Sequence, residues 1–99
     1  MKLLLDGQQI DTAGSQDTYT LDASHIYGNY TTVAAYGTWD GATATLEFSV
    51  DSGTTWITAG SNTTFTANGG GNFWCNKGIM IRFSLSGAGA GTDISAGIV

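Results

Sequence analysis

Between Thr43 and Val50 the apolar residues Ala44, Leu46, Phe48 and Val50 alternate with Thr43, Thr45, Glu47 and Ser49. A period of two places one set on each face of a strand, so this stretch predicts a β-strand with one packed face and one wet face. A second stretch repeats the signal: Ile79, Ile81, Phe83 and Leu85 alternate with Met80, Arg82, Ser84 and Ser86. Each face must be buried against something, which predicts that the two strands lie beside or across from one another. The first strand ends at Asp51-Ser52-Gly53, where Asp can accept bonds from the amides ahead of it and Gly can take a positive φ. The chain is therefore expected to reverse there and return as a second hairpin strand over Thr54–Thr58.

Weaker signals fill the rest of the chain. Lys2–Leu5 reads as a short edge strand ending at the turn dipeptide Asp6-Gly7, and Gln8–Gln16 as a polar loop. Asp17–Leu21 alternates Tyr19 and Leu21 against Thr18 and Thr20, and a turn at Asp22–Ser24 follows. The β-branched and aromatic content of the segment Tyr27–Tyr36 favours a strand from about Tyr30. Thr38-Trp39-Asp40-Gly41 is a turn whose tryptophan reads as a lid on the core. Thr63–Ala67 predicts a short strand centred on Phe65, Asn68–Asn72 a flexible glycine loop, Gly87–Gly91 a wide turn, and Thr92–Val99 a last, weak strand. No segment carries a capped helical period, and proline is absent. About eight short strands with turn signals between them predict an all-β single domain over 1–99, a small antiparallel β-sandwich or jelly-roll-like barrel whose strand order stays open.

Composition narrows the partners. Charged residues are 11% of the chain against 41% hydrophobic, and eight acids outnumber three basic residues for a net charge of −5. Phosphate backbones would repel such a surface, so nucleic acid is not an expected partner. No apolar run approaches the roughly 20 residues of a membrane span, and MKLLLDGQQ lacks the apolar stretch of a secretory signal, so synthesis in the cytoplasm is expected. A sheet protein this poor in charge and proline has few devices that keep its edges from pairing with another chain. Self-association is the expected remedy, with the apolar ends Leu3, Leu4, Leu5, Ile98 and Val99 as contacts. Cys75 stands alone and reads as a small buried hydrophobe, while His25 has no Cys or His at ligand spacing and no evident orienting partner. No metal, cofactor or catalytic set is expected.

Ser49, Asp51, Gly53, Thr55 and Trp56 meet all five defining positions of the Asp-box pattern, Ser/Thr-x-Asp-x-Gly-x-Thr-Trp/Phe. The segment thus resembles the hairpin motif of sialidases and many unrelated β proteins, in which the box is a folding element. That resemblance implies that Asp51 organises the turn and that Trp56 tucks its ring under the hairpin. A sialidase propeller needs several blades and far more chain. The run Tyr36–Trp56, YGTWDGATATLEFSVDSGTTW, also resembles segments of short, proline-poor, Thr- and Gly-rich structural proteins of tailed bacteriophage virions. This second resemblance implies a non-enzymatic role in the virion: capsid decoration or stabilisation on the outer surface of the head, bound to the major capsid or another virion protein. It also makes a trimer the first expectation for the oligomer and a dimer the second. An alternative from another class is a carbohydrate-binding module or adhesin tip, with a platform of Trp39, Trp74 and one of Tyr27 or Tyr30. Exposure of those rings discriminates the two.

Overall fold

The computed structural model describes residues 1–12 and 18–99. Nine strands are described: β1 (Lys2–Gln8), β2 (Thr18–Thr20), β3 (Tyr30–Thr38), β4 (Thr43–Ser49), β5 (Ile57–Thr58), β6 (Thr64–Phe65), β7 (Gly69–Trp74), β8 (Met80–Ser86) and β9 (Asp93–Ile98). They form two antiparallel sheets packed as a small all-β sandwich. One sheet runs β1-β9-β3-β7 and the other β2-β8-β4-β5, with β6 also paired to β4. The two strands with the clearest alternation are direct neighbours, Thr43 opposite Ser86 through Ser49 opposite Met80.

The core follows from that alternation. Ala44 and Leu46 of β4 and Ile81, Phe83 and Leu85 of β8 face Val33 and Ala35 of β3 and Ile94, Ala96 and Ile98 of β9, all buried. Phe48 meets Phe73 of the opposite sheet at a 5.2 Å ring-centroid separation, and Phe65 meets Phe83 at 6.4 Å, within the range at which tilted aromatic pairs attract beyond simple burial. Trp39 packs against this core from the turn after β3 and donates its indole N–H to Asn68 Oδ1 at 2.9 Å, as expected of a lid.

Four expectations are corrected. Asp6-Gly7 does not end the first strand: β1 continues to Gln8, with register shifts between Leu3 and Leu5 and between Leu5 and Gln8, so the turn-prone pair is absorbed in a bulge. The glycine run is not a loop. Gly69, Gly70 and Gly71 pair in register with Ala35, Ala34 and Val33. Glycine is demanded there by close approach, since a Cβ on Gly71 would lie 2.0 Å from the Asn62 carbonyl oxygen. Val50 is 70% exposed because β4 ends at Ser49, whose buried hydroxyl turns to serve the hairpin. Finally, Leu4, Leu5 and Ile98 are not free apolar ends. They are buried in the chain's own core, because β1 and β9 pair with each other and cover the sandwich, leaving only Leu3 half-buried and Val99 exposed. The loop expected over Gln8–Gln16 and the strand residue Asp17 lie partly outside the described residues.

Candidate functional site

The Asp-box hairpin is built from its side chains outward. Ser49 Oγ accepts the Gly53 N–H at 2.8 Å and the Asp51 N–H at 3.3 Å, and donates to Asp51 Oδ1 at 2.7 Å. Asp51 Oδ1 also accepts the Thr55 N–H at 2.7 Å. These donors, led by the Thr55 amide and the Ser49 hydroxyl, pull the Asp51 carboxyl down to about 2. The turn role expected of Asp51 thus has a full set of partners. Trp56 lies against the hairpin turn, as the box resemblance implies, but its ring is half-buried on the outer face of the second sheet and not in the core. It donates its indole N–H to the Gly53 carbonyl at 3.1 Å and lies under the Arg82 guanidinium, 4.3 Å from the ring centroid. Arg82 in turn pairs with Glu47 at 2.7 Å. Arg82 and Glu47 are directly opposite on β8 and β4, so the sheet register fixes this stack.

His25 has the partners that sequence reasoning did not find. Its Nδ1 lies 3.1 Å from the Tyr19 hydroxyl, 3.1 Å from Ser24 Oγ and 3.3 Å from Asp22 Oδ1. All three converge on one ring nitrogen. A nucleophile, base and orienter must instead be strung through both nitrogens of the imidazole. Ser24 moreover donates its hydroxyl and its amide to Asp22, which caps the 3₁₀ turn Ala23–His25. Those Ser24 bonds hold the Asp22 carboxyl low, while burial and the Asp22 charge push the Tyr19 phenol up. The cluster thus reads as a turn lock. Cys75 is buried, and burial raises its thiol. Among the described residues, no group of three or more His, Cys, Asp or Glu is placed to hold a metal.

The aromatic residues sort into two places. Trp39 follows the last residue of β3, whereas Tyr30 begins it and sits directly opposite Trp74 on β7. Nine residue steps therefore separate Trp39 from the position opposite Trp74, roughly 30 Å at about 3.3 Å per residue, so the platform expected to include both is corrected. At the other end, Tyr27 and Tyr30 exchange backbone hydrogen bonds of 2.9 and 3.4 Å around Gly28-Asn29. Gly28 takes φ +69°, the positive value that the first central residue of a two-residue hairpin loop adopts. Opposed residues project to the same side, so Tyr27, Tyr30 and Trp74 form one row across the outer face of the first sheet. Trp74 is 70% and Tyr27 59% exposed, with Tyr30 half-buried between them. One step along the sheet, Thr32 donates its hydroxyl to Asn72 Oδ1 at 2.9 Å. Beside Trp74 a surface cavity of about 320 Å³ is lined by Asn29, Trp74, Cys75, Asn76 and Ile79.

The remainder of that outer face on β3, β7 and β9 is built mostly of small and uncharged residues. Ala34 lies opposite Gly70 on one side and Gly97 on the other, and Tyr36 lies opposite Ser95. Along β3, β7 and β9 the only charged residue is Asp93, at the start of β9. Sequence reading assigned the glycines to a loop and so missed this face; the cue was their pairing partner, the alanine-rich β3. Comparison of the chain with protein-family models, with curated proteins and with solved structures returns no match.

Proposed function

We propose that this chain is a non-enzymatic structural protein of a tailed bacteriophage virion, a decoration or stabilising module that docks on the outer surface of the head as a closed homo-oligomer. The observation that carries the reading is the outer face of the β1-β9-β3-β7 sheet, where Ala34, Gly70, Tyr36 and Ser95 make a surface of uncharged residues on three adjacent strands, Gly97 beneath it being buried. Desolvating such a surface costs little, because no ion must be stripped of water, and small residues let another backbone or sheet approach closely. Val99 adds an exposed apolar side chain to the rim. The resemblance of Tyr36–Trp56 to virion proteins supports the same role. Docking and self-association through this face replace the contacts expected of Leu4, Leu5 and Ile98, which the core uses.

The test combines size exclusion with light scattering and binding to heads lacking the protein. The reading requires a species larger than the 10.2 kDa monomer, and saturable binding to the heads. Ala34→Arg places a charge at the centre of the face and should abolish both while leaving the melting curve intact. A stable monomer that ignores heads would overturn the proposal.

A further inference from the structure

We infer that the row Tyr27, Tyr30 and Trp74 is a binding site for a neutral glycan, with the side-chain amides around it as hydroxyl partners. This goes beyond the docking reading and uses the end of the sheet rather than its centre.

Three features point to a sugar chain. The backbone under the row is fixed by strand register and a two-residue hairpin, so little backbone freedom is lost on binding. Neighbouring Cβ atoms across strands are about 5 Å apart, so three rings span about 10 Å, the length of two hexose units, whose C–H faces pack on aromatic faces. Polar groups of the right kind flank the rings: the exposed amides of Asn29, Asn72 and Asn76 and the half-buried hydroxyl of Thr32. Amides both donate and accept, as vicinal sugar hydroxyls require. Charge complementarity sets the class. The cavity beside Trp74 has no charged lining residue, so a sugar resting there meets no ion; Lys77 lines only the adjoining cavity, with Gly28, Cys75 and Asn76, and the sulfated control tests whether it is used. Few converging polar groups around exposed apolar rings are the usual make-up of a small-ligand site.

The experiment uses the full chain, ¹⁵N-labelled, titrated with maltohexaose, cellohexaose, N-acetylchitohexaose and a sulfated control, to about 10 mM, which detects any Kd tighter than about 1 mM. The three indole N–H signals separate the tryptophans. Binding of at least one neutral oligosaccharide should move the Trp74 indole and the Gly28 and Asn29 amides, leaving the Trp39 and Trp56 indoles in place. Trp74→Ala should weaken that binding by roughly tenfold or more with an unchanged melting temperature, since the ring is mostly exposed, and should leave head docking intact. No shift with any neutral sugar, shifts confined to Trp56 or Trp39, or binding of the sulfated control alone would overturn the assignment. So would Trp74 broadening with protein concentration in the absence of sugar, which would make the row a self-contact.

Discussion

Ser49→Ala should be the most informative small change in the chain. The Ser49 hydroxyl is almost fully buried and ties together the turn that joins β4 to the returning strand. Alanine leaves the Gly53 amide, bonded at 2.8 Å, and the Asp51 amide, bonded at 3.3 Å, without their acceptor. The first is a good bond and the second a long one. A fully buried donor left unpaired costs about 1 to 3 kcal/mol; these amides are only part-buried, but the Ser49–Asp51 side-chain bond is lost with them, so the change is worth about 2 kcal/mol in all. For a domain near 100 residues that is a fall in melting temperature of about 8 to 16 °C. Thermal unfolding followed by circular dichroism at neutral pH measures it. Ser49→Thr and Ser49→Val, nearly equal in volume, separate the hydroxyl from packing: threonine should retain most of what valine loses. A drop under about 3 °C for alanine, together with equal melting of the Thr and Val variants, would refute the hydroxyl's role.

Acid should loosen the same hairpin. The Asp51 carboxyl is depressed from an ordinary 3.8 to about 2 in the folded chain, so its contribution is present above pH 3.8 and is lost as pH falls toward 2; Asp51→Asn should flatten the acid limb of stability across that window, and a limb of unchanged slope would count against it. Trp56→Ala should cost about 1 to 2 kcal/mol in urea unfolding, one indole hydrogen bond plus one cation–π contact, whereas Phe83→Ala, in the core, should cost about 3 to 5 kcal/mol; equal losses would put Trp56 back in the interior. Removing Ile98 and Val99 should unfold the chain rather than merely release a subunit, since Ile98 is buried opposite Val33 and Lys2; a folded monomer by NMR would contradict this. Gly71→Ala should destabilise by well over about 1 kcal/mol, because its Cβ must displace the Asn62 backbone, and an unchanged melting temperature would show that the edge yields freely.

The all-β class was legible because Thr43–Ser49 and Met80–Ser86 bury one face each, and a half-buried strand writes its period into the sequence. The Asp-box turn was legible for a similar reason: Ser49, Asp51 and Thr55 bond each other over a few residues, so local spacing carries the geometry. β7 was not legible. Its first three residues are glycines, which carry no alternation, and what makes them a strand is the partner β3, whose pairing lies outside the segment. The contact of Trp56 with its hairpin was legible, but its depth was not, because the pattern of the box says where the turn goes but not which face of the sheet the ring chooses. Here that face is decided by Arg82, a residue 26 positions away. The aromatic row depends on two pairings at once, Tyr27 with Tyr30 and Tyr30 with Trp74. Sequence could nominate the rings but not exclude Trp39 from their company.

The pairing of β1 with β9 sets a schedule for the chain as well as a shape. Lys2 lies opposite Ile98, so the first strand has no ladder partner until the last has been made. Leu4 and Leu5 have no ladder neighbour until β9 is in place. Closing so long a loop is slow compared with forming the β4–β5 hairpin, and long-range pairing of this kind places folding in the millisecond-to-second range. Joining the two ends through a short glycine linker and reopening the chain at Ala67-Asn68 would turn β9 and β1 into a local hairpin. Stopped-flow refolding of that permutant should be faster than that of the parent, with its native sheet order unchanged.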